Sequence, residues 1–486
     1  MRAAVFSLVL GTGPILILSA QSAGTFAATG SMNTARSAHT ATVLANGKVL
    51  IAGGVNFFGS SPVVRHYLAG AELYDPSTGT FTPTGDMTMA RAWHSAALLR
   101  DGRVLIVGGA SSDYVAATSA ELYDPTTGTF TATSGTTAVN GIATLLKNGN
   151  VLITGDIAQL CDPVTNSLAP AGSYSGPFPD GLSFFPSTAT LLQDGRVLVA
   201  GTGDNSGAWL EHEEIYDPAT GTFTLAGKVH TYGDSVIWGN YSATLLQDGK
   251  VLLAGGVSED FGFFSAAELF DPSTNSFMAT GNMTIARAAH TATLLPDGTV
   301  LIAGGFYLGL ITAELYNPAT GKFSPTGNMT IGRAFQSGAL LFDGRVLVSG
   351  GVDDYENSTW LSSADLYTPR SPAPTPALFS LSSDGTGQGA IWHADTGKIA
   401  SSANPAAAGD VLSMYTTSLF EGGAIPPQVA IGGQTAELLF FGDAPGYPGY
   451  YQVNFRVPNG VAPGPAVSVR LNYLGHPSNE VTIGVQ

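Results

Sequence analysis

Arginine and histidine recur along the chain as pairs with the same spacing. Arg36 precedes His39, Arg91 precedes His94 and Arg287 precedes His290, while Gln336 takes the histidine place after Arg333. Guanidinium and imidazole groups brought together can bind an anion. Each arginine is, however, also followed by an acidic residue in its own stretch of chain. We therefore interpret the arginines as structural and expect them to bond main-chain carbonyls or these acids, which are Glu72, Glu121, Glu314 and Asp365.

Aromatic residues replace the arginine in two stretches, where Phe184 and Trp238 stand at its position. Flat aromatic faces bind the apolar C–H faces of sugar rings, and neighbouring carboxylates accept bonds from sugar hydroxyls. The pattern predicts a ligand site; the alternative is that these residues pack longer loops onto the scaffold. The predicted ligand-binding residues are Phe184, Phe185, Trp209, His212, Tyr232, Asp234, Trp238 and Tyr241.

Other patterns typical of catalysis or metal binding are few. Cys161 is the only cysteine, so no internal disulfide can form. The acidic clusters at 211–213 and 353–356 are short, and we expect them to lie on solvated loops. No zinc spacing, phosphate-binding loop or nucleophile elbow occurs. We predict no metal site, no cofactor and no catalytic residue, and we leave open whether the protein is an enzyme.

Seven repeats of roughly fifty residues must position these side chains. Each repeat predicts four short strands. An Asn-Gly or Asp-Gly turn joins the first two, the second ends in Gly-Gly as in GKVLIAGG from Gly47, and the third and fourth read AELYDP from Ala71 and TFTPTG from Thr80. One such sheet cannot bury both faces, whereas seven stacked around an axis can. The sequence therefore predicts an all-β fold containing a seven-bladed β-propeller.

Because successive strands of a repeat run in opposite directions, the connections between them lie on two different faces of this propeller. Tight turns join strands 1 and 2 and strands 3 and 4 on one face. The connections from strand 2 to strand 3 (2–3) and from strand 4 to strand 1 of the next repeat (4–1) vary in length and lie on the other face. Because binding residues usually sit on variable loops of a rigid scaffold, we expect the ligand site on the 2–3/4–1 face.

The repeats resemble the kelch repeat, with a Gly doublet after strand two, Tyr in strand three and an aromatic residue in strand four. Strand four carries Phe, as at Phe81, where kelch repeats usually carry Trp. The resemblance implies a propeller of the galactose oxidase/kelch superfamily. Copper-radical members of that group need a Cys cross-linked to a Tyr near the axis, whereas Cys161 replaces the repeat Tyr in strand three. We therefore expect a kelch propeller without the copper-radical residues and Cys161 as a small core side chain.

The domain boundaries follow from changes in composition. Residues 1–22 read as a signal peptide; Gly11, Gly13 and Pro14 interrupt the apolar run, which argues against a membrane anchor. The propeller is assigned to 24–369, with Thr25–Gly30 supplying the missing fourth strand of the last blade. A Pro-rich linker at 370–377 leads to a β-sandwich at 378–486, which resembles the C-terminal domain of many secreted acidobacterial proteins and immunoglobulin-like IPT/TIG modules.

The charge balance limits the partners. A net charge of −17 disfavours nucleic acid and anionic membrane surfaces, and we predict no membrane span in the mature chain. We expect a secreted, extracellular or cell-surface protein that binds a glycan or a protein partner. Two alternatives stay open: a carbohydrate-active enzyme of oxidase or hydrolase/lyase type, and a structural cell-surface module. The sequence does not specify the oligomeric state.

Overall fold

The chain is described here by a computed structural model, which covers residues 24–58, 64–113, 115–133, 135, 137–138, 141–175, 184–205, 208–227, 237–258, 262–306, 309–353, 359–369, 377–382, 386–417, 427–444, 450–473 and 476–486. The regular secondary structure in these ranges consists of β-strands only. None of them contains a helix long and apolar enough to cross a membrane.

Four-stranded antiparallel sheets form most of the described part of residues 25–368. Numbered by their first strands, the sheets in the described ranges are sheet 1 (Thr40–Val43, Val49–Ala52, Ala71–Asp75, Thr80–Pro83), sheet 2 (Ser95–Leu98, Val104–Val107, Ala120–Asp124, Thr129–Ala132), sheet 3 (Ile142–Leu145, Val151–Thr154, Ala158–Asp162, Ser167–Gly172), sheet 4 (Phe184–Leu191, Val197–Asn205, Ala208–Asp217, Thr222–Leu225), sheet 5 (Ser242–Leu245, Val251–Ala254, Ala267–Asp271, Ser276–Ala279), sheet 6 (Thr291–Leu294, Val300–Ala303, Ala313–Asn317, Lys322–Pro325) and sheet 7 (Ser337–Leu340, Val346–Ser349, Ala364–Thr368, Thr25–Ala28).

The sheets follow one another around an axis, as in a β-propeller. The first strand of each sheet contacts the first strands of the two neighbouring sheets, and the contact between Thr40–Val43 and Ser337–Leu340 completes the ring. Second strands such as Val49–Ala52 are buried along their whole length, because a neighbouring sheet covers each of their faces. In the outer strand Thr80–Pro83 only Phe81 is buried. The core therefore lies between the sheets, in separate apolar clusters around the ring.

The N-terminal strand completes sheet 7, as the sequence predicts. Thr25–Ala28 pairs antiparallel with Ala364–Thr368, with Phe26 opposite Tyr367. The two rings lie 4.8 Å apart between centroids, and the Phe26 side chain packs against the core between sheets 6 and 7. The first and last strands of the ring thus belong to one sheet, which joins the two ends of this part of the chain.

Outer contacts between sheets repeat around the ring. A threonine at the end of the outer strand bonds the tyrosine hydroxyl of the next sheet at 2.8–2.9 Å, in the pairs Thr29–Tyr74, Thr84–Tyr123, Thr280–Tyr316 and Thr326–Tyr367. The following glycine donates its main-chain N–H to a turn carbonyl of that same sheet, as from Gly30 to Gly79 at 2.9 Å. The Tyr and Gly of the repeat therefore act between sheets.

Two shorter hairpins project from the 2–3/4–1 side of the ring, formed by Val55–Phe58 with Val64–Tyr67 and by Ala110–Ser112 with Val115–Ala116. On the same side Ile237–Gly239, before the first strand of sheet 5, pairs with Val257–Ser258, after its second strand.

The C-terminal part has two antiparallel sheets on a shared core. Their strands are Ile391–His393, Val411–Thr416, Glu437–Asp443 and Tyr451–Arg456 in one sheet, and Gln428–Ile431, Gln434–Thr435, Gly464–Tyr473, His476–Pro477 and Val481–Val485 in the other. Buried residues of both, such as Leu412, Phe455 and Leu471, form one cluster. Arg100, in a tight turn of sheet 2, lies 3.5 Å from Glu437. A cavity of about 560 Å³ separates the tight turns of sheets 2 and 3 from the C-terminal strands.

Replacing Phe26 by alanine should lower the free energy of unfolding by about 1–3 kcal/mol, because the half-buried ring would lose its contact with Tyr367 and the core. Urea unfolding followed by circular dichroism measures the change. Thr25→Ala, at an exposed position of the same strand, is the control and should cost less than about 0.5 kcal/mol. Equal effects of the two substitutions would contradict a closing role for this strand.

Candidate functional site

The recurring arginines are fully buried inside the propeller. The Arg91 side chain bonds the carbonyls of Gly108 and Ser119 at 3.2 and 2.8 Å and a carboxylate oxygen of Glu121 at 2.9 Å. Arg36, Arg287 and Arg333 make the equivalent contacts with Glu72, Glu314 and Asp365. The structure thus supports the structural interpretation of these residues and excludes them as a surface for soluble anions.

Each arginine also connects two sheets through its main chain. The Arg91 side chain binds sheet 2, whereas its carbonyl accepts the N–H of Gly54 at 2.8 Å and its own N–H bonds Leu68 O at 3.1 Å, both after the inner strands of sheet 1. A Cβ atom on Gly53 would come within 2.5 Å of the Arg91 carbonyl, and Gly54 has φ +104°. The Gly-Gly doublet is therefore required by the close approach of the next arginine.

The histidines lie between sheets and are neutral. Nε2 of His39 lies 3.1 Å from Ser349 Oγ, Nε2 of His94 lies 3.1 Å from Thr40 Oγ1, and Nε2 of His290 lies 2.9 Å from Ser242 Oγ. Burial, reinforced by the positive charge of the neighbouring arginine, lowers the pKa of His94 and of His290 to about 3. Burial likewise lowers the pKa of His39 well below its ordinary value. These histidines are interface residues.

The predicted aromatic site is described mainly through its backbone. Phe184 and Phe185 pair with Gly203 and Thr202, and Trp209 and His212 pair with Asp204 and Gly201, in an extension of sheet 4 beyond the length of the other sheets. The strand that contains Trp238, Ile237–Gly239, lies against this extension.

The side chains of five of these residues, and all of Tyr232 and Asp234, lie outside the described residues. Tyr241 is half-buried and packs against the core between sheets 4 and 5. The backbone brings the strands of Phe184, Phe185, Trp209, His212 and Trp238 together, and their role in binding stays a prediction.

A second group of aromatic residues, which the sequence analysis did not identify, lies on the arginine-bearing part of the same face. Trp93 lies 6.2 Å from Tyr67 between ring centroids, Phe57 lies 4.2 Å from Trp360, and Phe306 lies 6.0 Å from Phe335. Trp93 and Phe335 stand two residues after Arg91 and Arg333. The repeat alignment contained the signal, because this position varies from Ala38 to Trp93 and Phe335 among the sheets that keep the arginine.

Comparisons with known proteins agree with the propeller architecture. Residues 36–88 match the Kelch motif family. A solved structure of a fungal alcohol oxidase of the AA5 family, in complex with copper, is similar with a TM-score of 0.57 and 18% sequence identity, over 96% of this chain and 100% of that chain. A search of curated proteins finds no match. The fold is that of a β-propeller, and residues 36–88 carry a kelch motif.

The described residues do not fit the copper ion that this similarity implies. Within the described ranges, no three His, Cys, Asp or Glu side chains come together. Cys161 is buried in the core between sheets 2 and 3, where burial raises the pKa of its thiol. His39, His94 and His290 contact hydroxyl groups inside the ring.

Replacing Arg91 by alanine should lower the free energy of unfolding by about 3–5 kcal/mol, because the carboxylate of Glu121 would stay buried without its cation. Sheet 3 has Ala138 and Gln159 at the two equivalent positions. The double variant Arg91→Ala/Glu121→Gln should therefore recover part of the loss in urea unfolding. A double variant no more stable than Arg91→Ala would show that the unpaired charge is not the cause.

The buried histidines predict a fall in stability with acidification. Because the folded-state pKa of His94 is about 3 and an unfolded histidine titrates near 6.5, the unfolded state binds the proton first. The contribution of His94 to the free energy of unfolding is fully present above pH 6.5. It decreases by about 1.4 kcal/mol per pH unit as the pH falls from 6.5 towards 3.

The variant His94→Gln places in sheet 2 the residue that sheet 7 has at the same position, Gln336, whose amide donates to Ala303 O at 2.8 Å. It should make the free energy of unfolding less dependent on pH between 6.5 and 4. Urea unfolding at several pH values measures the slope. Thr25→Ala, at an exposed position without a titratable side chain, is the control and should leave the slope unchanged. An unaltered slope in His94→Gln would contradict a buried, neutral His94.

Proposed function

We propose that the protein is a secreted binding protein that recognises a glycan or an extracellular protein through the 2–3/4–1 face of a seven-bladed propeller. In this proposal residues 1–22 are the signal peptide, 24–369 the propeller, 370–377 the linker and 378–486 an immunoglobulin-like sandwich. The protein acts at the cell surface or outside the cell.

The observation that carries this proposal is the difference between the two faces. The 1–2 connections repeat a short turn in which an Asn or Asp side chain caps its own loop, as Asp101 does for the N–H of Arg103 at 3.0 Å. The 2–3 and 4–1 connections instead contain two hairpins, a third two-stranded pairing and both aromatic groups. A rigid scaffold with one variable, aromatic face is typical of binding proteins.

The C-terminal sheets favour the same assignment. Their contacts near Arg100 and Glu437 are with the tight turns of sheets 2 and 3, on the opposite side of the ring from the hairpins. A partner that binds the hairpin side would therefore not meet the contacts between the C-terminal sheets and the tight turns.

The test is a glycan array and a binding assay with extracellular extracts, using the full mature chain. Trp209→Ala/Trp238→Ala should weaken binding about tenfold or more, because buried tryptophans often dominate binding energy. Val164→Ala changes an exposed apolar residue on the opposite face and should have no effect. Wild-type-like binding by the tryptophan variant would remove these residues from the site.

A carbohydrate-active enzyme is the second candidate function, favoured by the similarity in fold to a fungal alcohol oxidase. The experiment is to assay the protein, supplied with copper or calcium, for hydrogen peroxide release and sugar cleavage on a broad panel of alcohols and oligosaccharides. Turnover that is lost on heat treatment would replace the binding proposal. Its absence across the panel would favour binding alone.

A further inference from the structure

The inner rim of the propeller holds non-glycine residues in the left-handed conformation. The residue two places after the arginine position has φ between +51° and +57° in five sheets, at Ala38, Trp93, Asn240, Ala289 and Phe335. Main-chain bonds link these residues from sheet to sheet: Trp93 N–H to Ala38 O at 2.9 Å, Ala38 N–H to Phe335 O at 2.9 Å, Phe335 N–H to Ala289 O at 3.1 Å and Ala289 N–H to Asn240 O at 2.8 Å.

This conformation turns the side chain out of the core. Trp93 is 48% exposed, although Ala92 before it and His94 after it are buried. A positive φ is costly for a bulky residue and persists only where the surroundings enforce it. The chain of inter-sheet bonds supplies that enforcement.

The fold does not need an aromatic residue at this position. Ala38 and Ala289 occupy it in sheets 1 and 6 with the same φ and the same hydrogen bonds. The large exposed ring of Trp93 therefore requires a reason other than the closure of the ring. Exposed aromatic residues held in a strained conformation are typical of binding sites.

Polar groups border the Trp93 ring on one side. The Tyr67 ring lies 6.2 Å from it between centroids, and the Tyr67 hydroxyl donates to Asp113 Oδ1 at 3.1 Å. Arg65 donates to the same oxygen at 3.1 Å. The side chains of Arg65 and Asp113 are 42% and 49% exposed, so both can still bond a ligand.

Neighbouring contacts hold these groups in place. Tyr67 and Arg65 lie on the hairpin of sheet 1, whose second strand contacts Ala110–Ser112, the strand directly before Asp113 in sheet 2. The Arg65 guanidinium lies 5.8 Å from the centre of the Phe57 ring, which packs edge-on against Trp360. The Trp360 indole donates to Ser37 Oγ at 3.1 Å. A site held in this way loses little conformational entropy when a ligand binds.

We propose that Trp93, Tyr67, Arg65 and Asp113 form a subsite for a neutral pyranose unit of a glycan. The apolar face of the sugar stacks on Trp93, while Asp113 accepts and Arg65 donates hydrogen bonds to its hydroxyls. The Arg65–Asp113 pair carries no net charge, and the net charge of −17 disfavours acidic sugars. This inference rests on the proposed binding function and gives it a ligand class and a location outside the aromatic residues of sheets 4 and 5.

The test is isothermal titration calorimetry of the mature protein with neutral gluco-, xylo-, manno- and galacto-oligosaccharides, and with acidic oligogalacturonides. Trp93→Ala should bind the recognised neutral sugar about tenfold or more weakly, with an unchanged melting temperature because alanine already occupies this position in two other sheets. Asp113→Asn, which removes the charge but keeps the shape, should weaken binding severalfold. Leu225→Ala, at an exposed position on an outer strand, is the control and should bind as the wild type.

Different outcomes separate this inference from the proposed function. If the wild type binds a sugar and Trp93→Ala binds it equally well, the subsite is wrong and the binding function stands. Tighter binding of oligogalacturonides than of neutral sugars overturns the ligand class. If the wild type binds none of the sugars, the subsite is overturned, and the wider function then depends on whether a protein ligand binds to the same face. A lower melting temperature of Trp93→Ala would show that the ring is structural.

Discussion

A buried arginine that joins its own sheet to the preceding one is the interaction on which sheets 1, 2, 6 and 7 depend. Its side chain binds the carboxylate and carbonyls of its own sheet, and its main chain binds the sheet before it. A guanidinium removed from water is costly unless a carboxylate and further acceptors are placed to bond it. This requirement fixes the acid of strand three and the carbonyls after strands two and three. It also excludes any side chain at Gly53, because the Arg91 carbonyl occupies that space. The arginine and its acid therefore do more to fix one arrangement of the two sheets than to raise the free energy of unfolding.

The left-handed conformation at the rim occurs both with and without the arginine, since Asn240, which follows Trp238, adopts it too. In sheet 2 Arg91 and His94 are both buried, and Trp93 between them takes the strained conformation with its side chain turned outward. The inter-sheet hydrogen bonds use only main-chain atoms there, so the side chain is free to vary without affecting the ring. Five sheets thus have an outward-facing side chain at the same position. An alanine there leaves the ring intact without adding a contact surface, and an aromatic residue adds an exposed apolar surface. This separation of structural and variable atoms explains how one face carries function while the core stays regular.

Charge is divided between the interior and the surface in a way that limits ligands. The chain has 19 basic against 36 acidic residues, and four of the arginines are buried beside acids. The remaining surface is acidic, which disfavours anionic partners. Neutral ligands that offer apolar faces and hydroxyl groups suit the exposed aromatic residues of the hairpin side.

The repeat itself determined the strands, their turns, the pairing of Thr25–Ala28 with the last sheet and the structural role of Arg36, Arg91, Arg287 and Arg333. These features depend on local turn chemistry and on spacing that recurs, so they can be read from one chain. The surroundings of Trp93 could not be read in this way. Its exposure depends on a positive φ imposed by neighbouring sheets, and its partners Tyr67 and Asp113 come from hairpins of two different repeats. Only the tertiary structure decides which side chains meet across a sheet boundary, because these contacts join residues that no sequence period relates.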